Sequence, residues 1–155
     1  MDKARELLRH TVATVAYRAT RALENTDAAF GGFGGAGRRP VEILAHMSDL
    51  FDWALSMAEG LPEWHASAAQ SWEEERLRFY AALAAFDDRL AAETELSAPA
   101  ERLFQGPVAD ALTHVGQLAM LRRLAGVPAR GENFYVAEIS CGCVGATQPV
   151  AVRPF

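Results

Sequence analysis

Residues 40–59, PVEILAHMSDLFDWALSMAE, predict one long amphipathic helix. The apolar side chains along this stretch recur at steps of three and four residues: Ile43, Met47, Leu50 and Ala54. That spacing places them on one face of an α-helix. Proline at residue 40 is favoured in a first helical turn, and Gly60 followed by Pro62 ends the pattern.

Three further helices are predicted, at about 3–26, 67–94 and 107–124, each with its own apolar stripe. The third starts at Ser67 or Ser71, and Ser71 with Glu74 resembles a capping box. The fourth carries Pro107 in its first turn. The glycine-rich segment 30–37 is expected to be a flexible connector. It lacks the Gly-Lys-Ser/Thr ending of a phosphate loop, and no strand precedes it.

Four long helices without alternating strands predict an all-α fold, a four-helix bundle formed by one domain over residues 1–155. The stretch between the second and third helices is long enough for a crossover, so an up-and-down bundle and a crossover variant both remain open. Residues 127–155 have no sustained period. They are predicted to be an irregular tail, with or without a short strand, packed over the bundle through Phe134, Tyr135, Val136 and Ile139.

The composition favours a globular protein: half of the 155 residues are hydrophobic and 23% are charged. A net charge of -5 disfavours a nucleic-acid partner. No apolar run is long enough to span a membrane, and the N-terminus lacks the layout of a secretion signal, so a cytoplasmic protein is expected. Cys141 and Cys143 are expected to be free thiols, with a redox or metal role as the alternative.

Two of the four histidines lie mid-helix, each on a helix stripe that also presents oxygen-bearing side chains. The two stripes are Glu42, His46, Asp49 and Trp53, and Asp110, His114, Gln117 and Leu121. If both face inward they converge, and their nitrogen and carboxylate groups suit a divalent transition metal. Zinc or nickel is the leading candidate, with iron or manganese as alternatives. The competing interpretation is two ordinary hydrogen-bonded histidines, with the carboxylates placed in first turns by the helix dipole.

His10 is a rival ligand, but the first helix should run antiparallel to the second. His10 and His46 would then lie roughly 10–15 Å apart along the bundle axis at 1.5 Å per residue. His65 follows Trp64 in a loop and is expected at the surface.

Residues 43–49, ILAHMSD, and 110–118, DALTHVGQL, with the run to residue 126, resemble the DinB-like superfamily. These damage-inducible helical-bundle proteins include metal-dependent hydrolases and thiol transferases. The resemblance covers about the first 126 residues and implies a metal held by His46, Asp110 and His114. Many members carry histidine where this chain has Asp110, and the mycothiol-dependent branch carries a carboxylate there.

The resemblance implies hydrolysis, or a transfer or isomerisation that uses a low-molecular-weight thiol, with a small-molecule substrate. Asp49 or Glu42 is expected to orient His46 or act as a general base, and Gln117 to hydrogen-bond a ligand or a metal-bound water. Arg122, Arg123 and Arg130 could attract an anionic substrate, although arginines at a helix C-terminus and in a loop need no such role. The alternative function is a non-catalytic binding bundle, and a homodimer is the default assembly.

Overall fold

The computed structural model describes residues 2–35 and 37–155, and its regular elements are all helical, as predicted. The α-helices are α1 (Lys3–Leu23), α2 (Ala28–Gly31), α3 (Pro40–Ala58), α4 (Trp72–Ala91), α5 (Ala100–Leu103) and α6 (Ala109–Leu124). A π-helical turn, Phe104–Val108, joins α5 to α6, and a 3-10 turn, Phe134–Val136, lies in the tail. The described residues form no strand, only an isolated antiparallel bridge between Glu132 and Pro154.

The four long helices pack in a closed ring in which α4 contacts α1 and α3, and α6 contacts the same two helices. Helices α3 and α4 run parallel, because Asp49 bonds to Arg78 and the carbonyl of Ala58, further along α3, accepts from Arg89. The chain between them, residues 59–71, is therefore a crossover. This settles the topology that the sequence left open, and it lays the crossover segment along α3.

Aromatic packing fills the interface between α3 and α4. Phe51 lies between Phe79 and Phe86, with ring centroids 6.1 Å from each, and all three side chains are fully buried. Burying a phenylalanine side chain contributes about 1.5–3 kcal/mol, so this cluster fixes α3 firmly against α4.

The structure decides between two predicted starts for one helix and shortens another. Helix α4 begins at Trp72 with Ser71 as its N-cap, the second of the two predicted starts, and the predicted capping box is present: Ser71 Oγ accepts from the Glu74 amide at 3.3 Å, while Glu74 accepts from the Ser71 amide at 3.0 Å. Helix α1 ends at Leu23 rather than near residue 26, because Asn25 adopts a left-handed conformation with φ +56°. A residue in that conformation cannot continue a right-handed helix.

The last helical stretch begins at Ala100, earlier than the predicted start at residue 107. Pro107, expected in a first turn, instead lies inside the π-helical turn that leads into α6. Proline has no amide hydrogen to donate and its ring clashes with the preceding turn, so the wider π-helical turn accommodates it.

The start of the glycine-rich connector is helical, since α2 extends to Gly31, while residues 32–35 and 37–39 form no helix; Ala36 within it lies outside the described residues. Helix α2 packs Phe30 edge-on against Trp72 at 5.5 Å between centroids. A Cβ atom at Gly31 would lie 2.9 Å from Trp72 Cβ, closer than real Cβ atoms approach. Glycine is required there by this close approach.

The tail is irregular as predicted, but only part of the predicted contact surface packs on the bundle. Phe134 and Ile139 are half-buried, whereas Tyr135 is 94% exposed and Val136 is also exposed. A polar contact also attaches the tail: the buried carboxylate of Glu132 accepts from Tyr17 at 2.8 Å.

Arg122 is buried and takes a structural role at the end of the bundle. Its guanidinium donates to four carbonyl oxygens at the ends of α1 and α6, those of Val127, Arg21, Ala22 and Glu24. These carbonyls have no partner within their own helices, and a cation at a helix C-terminus is favourable.

Within the described residues, no helix combines the length and the apolar character needed to cross a membrane.

Candidate metal centre

His46, Asp110 and His114 come together between α3 and α6. The Asp110 carboxylate lies between the two rings: Oδ2 is 3.5 Å from His46 Nε2, and Oδ1 is 3.5 Å from His114 Nε2. One nitrogen or oxygen atom from each residue lies within 4.8 Å of the others. The ring centroids are 4.8 Å apart and the ring planes are nearly perpendicular. Two imidazoles and a carboxylate at this spacing are a donor set that zinc and similar ions accept.

Gln117 fixes the orientation of His114. Its Oε1 lies 2.7 Å from His114 Nδ1, one helical turn further along α6. An amide oxygen only accepts, so in the neutral imidazole the proton resides on Nδ1 and the lone pair of Nε2 points at Asp110. Gln117 therefore bonds to a predicted ligand, which is one of the two roles expected from its position on the stripe.

In the neutral form of His114 this arrangement leaves two acceptor atoms facing each other, the lone pair of Nε2 and the Asp110 carboxylate 3.5 Å away. Either a proton on Nε2 or a divalent ion between the two atoms removes their repulsion. The donor chemistry of the three residues thus fits a metal ion.

The pKa of His46 lies below its ordinary value of 6.5, mainly because burial disfavours the charged ring. Nearby His114 and Arg38 lower the pKa further, and Asp110 opposes them. A lowered pKa keeps His46 neutral at pH 7. Metal binding requires that neutral form.

The crossover segment covers one side of the centre. Trp64 packs edge-on against His46 at 5.7 Å and against Trp53 at 5.7 Å between centroids. Trp64 remains 47% exposed. An indole in contact with both the His46 ring and solvent forms a wall beside the site.

Three cavities border the centre, and each of its three side chains lines a different one. His114 opens onto a cavity of about 460 Å³, His46 onto one of about 430 Å³, and Asp110 onto one of about 460 Å³. Arg38 lines the first two. The Asp110 side chain is 47% exposed, so the centre is accessible from outside.

The other two carboxylates predicted near His46 have different partners. Asp49 is buried and accepts from the Ser67 amide and hydroxyl, both at 2.8 Å, and from Arg78. Burial alone would raise the pKa of Asp49, but these hydrogen bonds outweigh it and hold the pKa below its usual range. Glu42 accepts from the Arg39 amide at 2.8 Å at the start of α3. Among the described residues, neither carboxylate hydrogen-bonds to His46.

A second group with metal-like spacing, Asp49, Asp52 and His65, adjoins the first. Arg78 contacts the carboxylates of both Asp49 and Asp52. A guanidinium therefore already neutralises the oxygens that a metal would need. In the part of the chain that the structure describes, no arginine or lysine forms an ion pair with Asp110 of the His46 centre.

The remaining candidates lie outside the centre. His10 is exposed on α1 and takes no part in either group. Cys141 and Cys143 are free thiols, the first exposed and the second partly buried. Sequence reasoning did not anticipate Trp64 or Arg38 at the site, since both lie in segments without helical periodicity.

Comparison with protein-family models, curated proteins and solved structures finds no match for this chain.

Proposed function

We propose that this chain is a mononuclear metal-dependent enzyme of the DinB-like type. His46, Asp110 and His114 hold a divalent ion, zinc or nickel. The reaction is a hydrolysis, or a transfer or isomerisation that uses a low-molecular-weight thiol. The observation that carries the proposal is the convergence of three ligand atoms within 4.8 Å at a centre that three cavities border.

Two features support a catalytic rather than a purely structural ion, and a third supports metal binding itself. The centre has three protein donors, whereas structural zinc sites usually close with four. It opens onto cavities large enough for a small molecule. In addition, Gln117 supports His114 through the hydrogen bond that metal-bound histidines commonly make.

A divalent ion at such an open site lowers the pKa of a bound water to about 7 or stabilises a bound thiolate. The chain itself supplies the surroundings. Trp64 and Trp53 provide an apolar wall that excludes water from one side. Arg38 lines the cavities beside both histidines and forms no ion pair with another described residue. It is placed to attract a negatively charged group of a substrate.

The experiment replaces the native ion with Co²⁺ in stripped protein and follows its visible spectrum. A three-ligand site is expected to give an intense tetrahedral spectrum, and adding a small thiol should produce a new sulfur-to-cobalt band. His46→Ala and His114→Ala should both lose the spectrum. His65→Ala is the matched control, because it removes a histidine from the neighbouring group.

The two outcomes separate the enzyme from the binding bundle. A spectrum that responds to thiol establishes an open coordination position and directs the substrate screen to thiol transfer and hydrolysis. A cobalt spectrum that no added ligand changes would mean a closed structural site, and the catalytic proposal would fail.

A further inference from the structure

A further cavity lies on the opposite side of α6 from the metal centre. It has a volume of about 370 Å³ and is bounded by α1, α6 and the start of the tail. Arg123, which lines it, is nine residues after His114, a rotation of about 180° around the helix at 100° per residue. The two sites therefore share a helix but open on different faces.

Four arginines line this cavity, in a chain whose net charge is -5. Arg21 is already engaged, with its Nε donating to Glu132 at 2.8 Å and its Nη1 lying 3.4 Å from Glu24. Arg18, Arg123 and Arg130 form no ion pair with any side-chain carboxylate in residues 2–35 and 37–155.

The tail orients two of these three side chains. The Arg18 guanidinium stacks over the Phe134 ring, 4.1 Å from its centroid. Arg130 donates to the carbonyl of Phe155 at 3.3 Å. Stacking and a single hydrogen bond restrict a guanidinium but leave most of its five donors open. Three guanidinium groups are thus gathered at one place, and none of them is paired with a side-chain carboxylate of the described residues.

The rest of the lining is apolar, and includes Leu112 and Val115 of α6 and Ala22 of α1. Arginines around an apolar surface suit a ligand that combines an anionic group with an apolar body. The planar guanidinium matches the two oxygens of a carboxylate or phosphate, and the apolar lining takes a hydrocarbon or aromatic body.

We infer that this cavity binds a small organic anion, a carboxylate or phosphate on an apolar body, through Arg18, Arg123 and Arg130. The site is independent of the metal centre. The sequence suggested that Arg123 and Arg130 could attract an anionic substrate. In this proposal they bind an anion on the face of α6 opposite the metal centre.

The test is isothermal titration calorimetry with 1-naphthyl phosphate, 1-naphthoate and the neutral 1-naphthol. It is run on the wild-type chain and on His114→Ala, so that binding to a metal is excluded. Both anions are expected to bind in both backgrounds, and whichever binds more tightly identifies the anionic group. Naphthol should bind much more weakly. Arg123→Gln and Arg130→Gln should each weaken anion binding about tenfold, the loss of one charge-assisted hydrogen bond.

Arg102→Gln is the matched control, since it removes one exposed arginine from α5 outside the cavity. It should leave the affinity unchanged. Arg123 makes no side-chain hydrogen bond within the described residues, so its replacement should also leave the fold intact, as checked by circular dichroism. Equal binding of naphthol and naphthyl phosphate would overturn the inference, and so would binding lost only in His114→Ala. A DNA oligonucleotide that competes at the same arginines would overturn it in favour of a nucleic-acid surface.

Discussion

Replacing Gln117 with leucine should weaken metal binding without unfolding the chain. The side chain keeps a similar size, but the acceptor 2.7 Å from His114 Nδ1 is lost. His114 is only 11% exposed, so water replaces that acceptor poorly and the ring loses its orienting contact. Changes of such outer partners typically cost about 10–100-fold in metal affinity, or about 1.4–2.7 kcal/mol.

The assay is a zinc titration of stripped protein against a chelator of known affinity, with thermal unfolding of the metal-free forms recorded in parallel. Gln117→Glu tests the reason for the loss, because a carboxylate also accepts from Nδ1 and should keep the affinity at or above that of wild type. Gln70→Leu, an exposed position outside the centre, is the control. Wild-type affinity in Gln117→Leu would refute the idea that this hydrogen bond positions the ligand.

Two further predictions concern stability. Gly31→Ala should lower the free energy of unfolding by about 1–3 kcal/mol through overpacking against Trp72, as measured by urea unfolding, while Gly34→Ala, with open space at its Cβ, should change it little. The lowered pKa of Asp49 stabilises the fold above the unfolded value near 3.8, and this stabilisation is lost as pH falls through the lower folded pKa. The urea midpoint of the metal-free protein should therefore fall less steeply from pH 7 to pH 3 in Asp49→Asn than in wild type. The variant keeps Arg78 as a hydrogen-bond partner but cannot titrate. Identical slopes in the two proteins would contradict this prediction.

The helices that carry the centre could be predicted because their signals are local. The stripe of Ile43, Met47 and Leu50 specifies which face of α3 is buried, and this also places His46 beside that face. The same periodicity brings His114 and Gln117 to one side of α6. Side chains three and four residues apart on a helix are neighbours regardless of the remaining fold.

The surroundings of the centre could not be predicted in the same way. Trp64 contacts His46 only because residues 59–71 cross over between two parallel helices, and nothing periodic marks that path. The hydrogen-bond partner of Asp49 on α4 could not be predicted from the sequence either. Arg78 lies one helix away, and the register of α4 against α3 depends on the packing of large side chains such as Phe51. Contacts of this kind are set by tertiary packing rather than by local sequence.

The metal content of the purified, untagged protein tests the central proposal most directly. Elemental analysis should find about one equivalent of a transition metal, as expected for a mononuclear site. His46→Ala and His114→Ala should each abolish it, and His10→Ala, which changes an exposed histidine on α1, should retain it. Wild-type protein that contains no metal and cannot be loaded, or unchanged metal content in His114→Ala, would contradict the account.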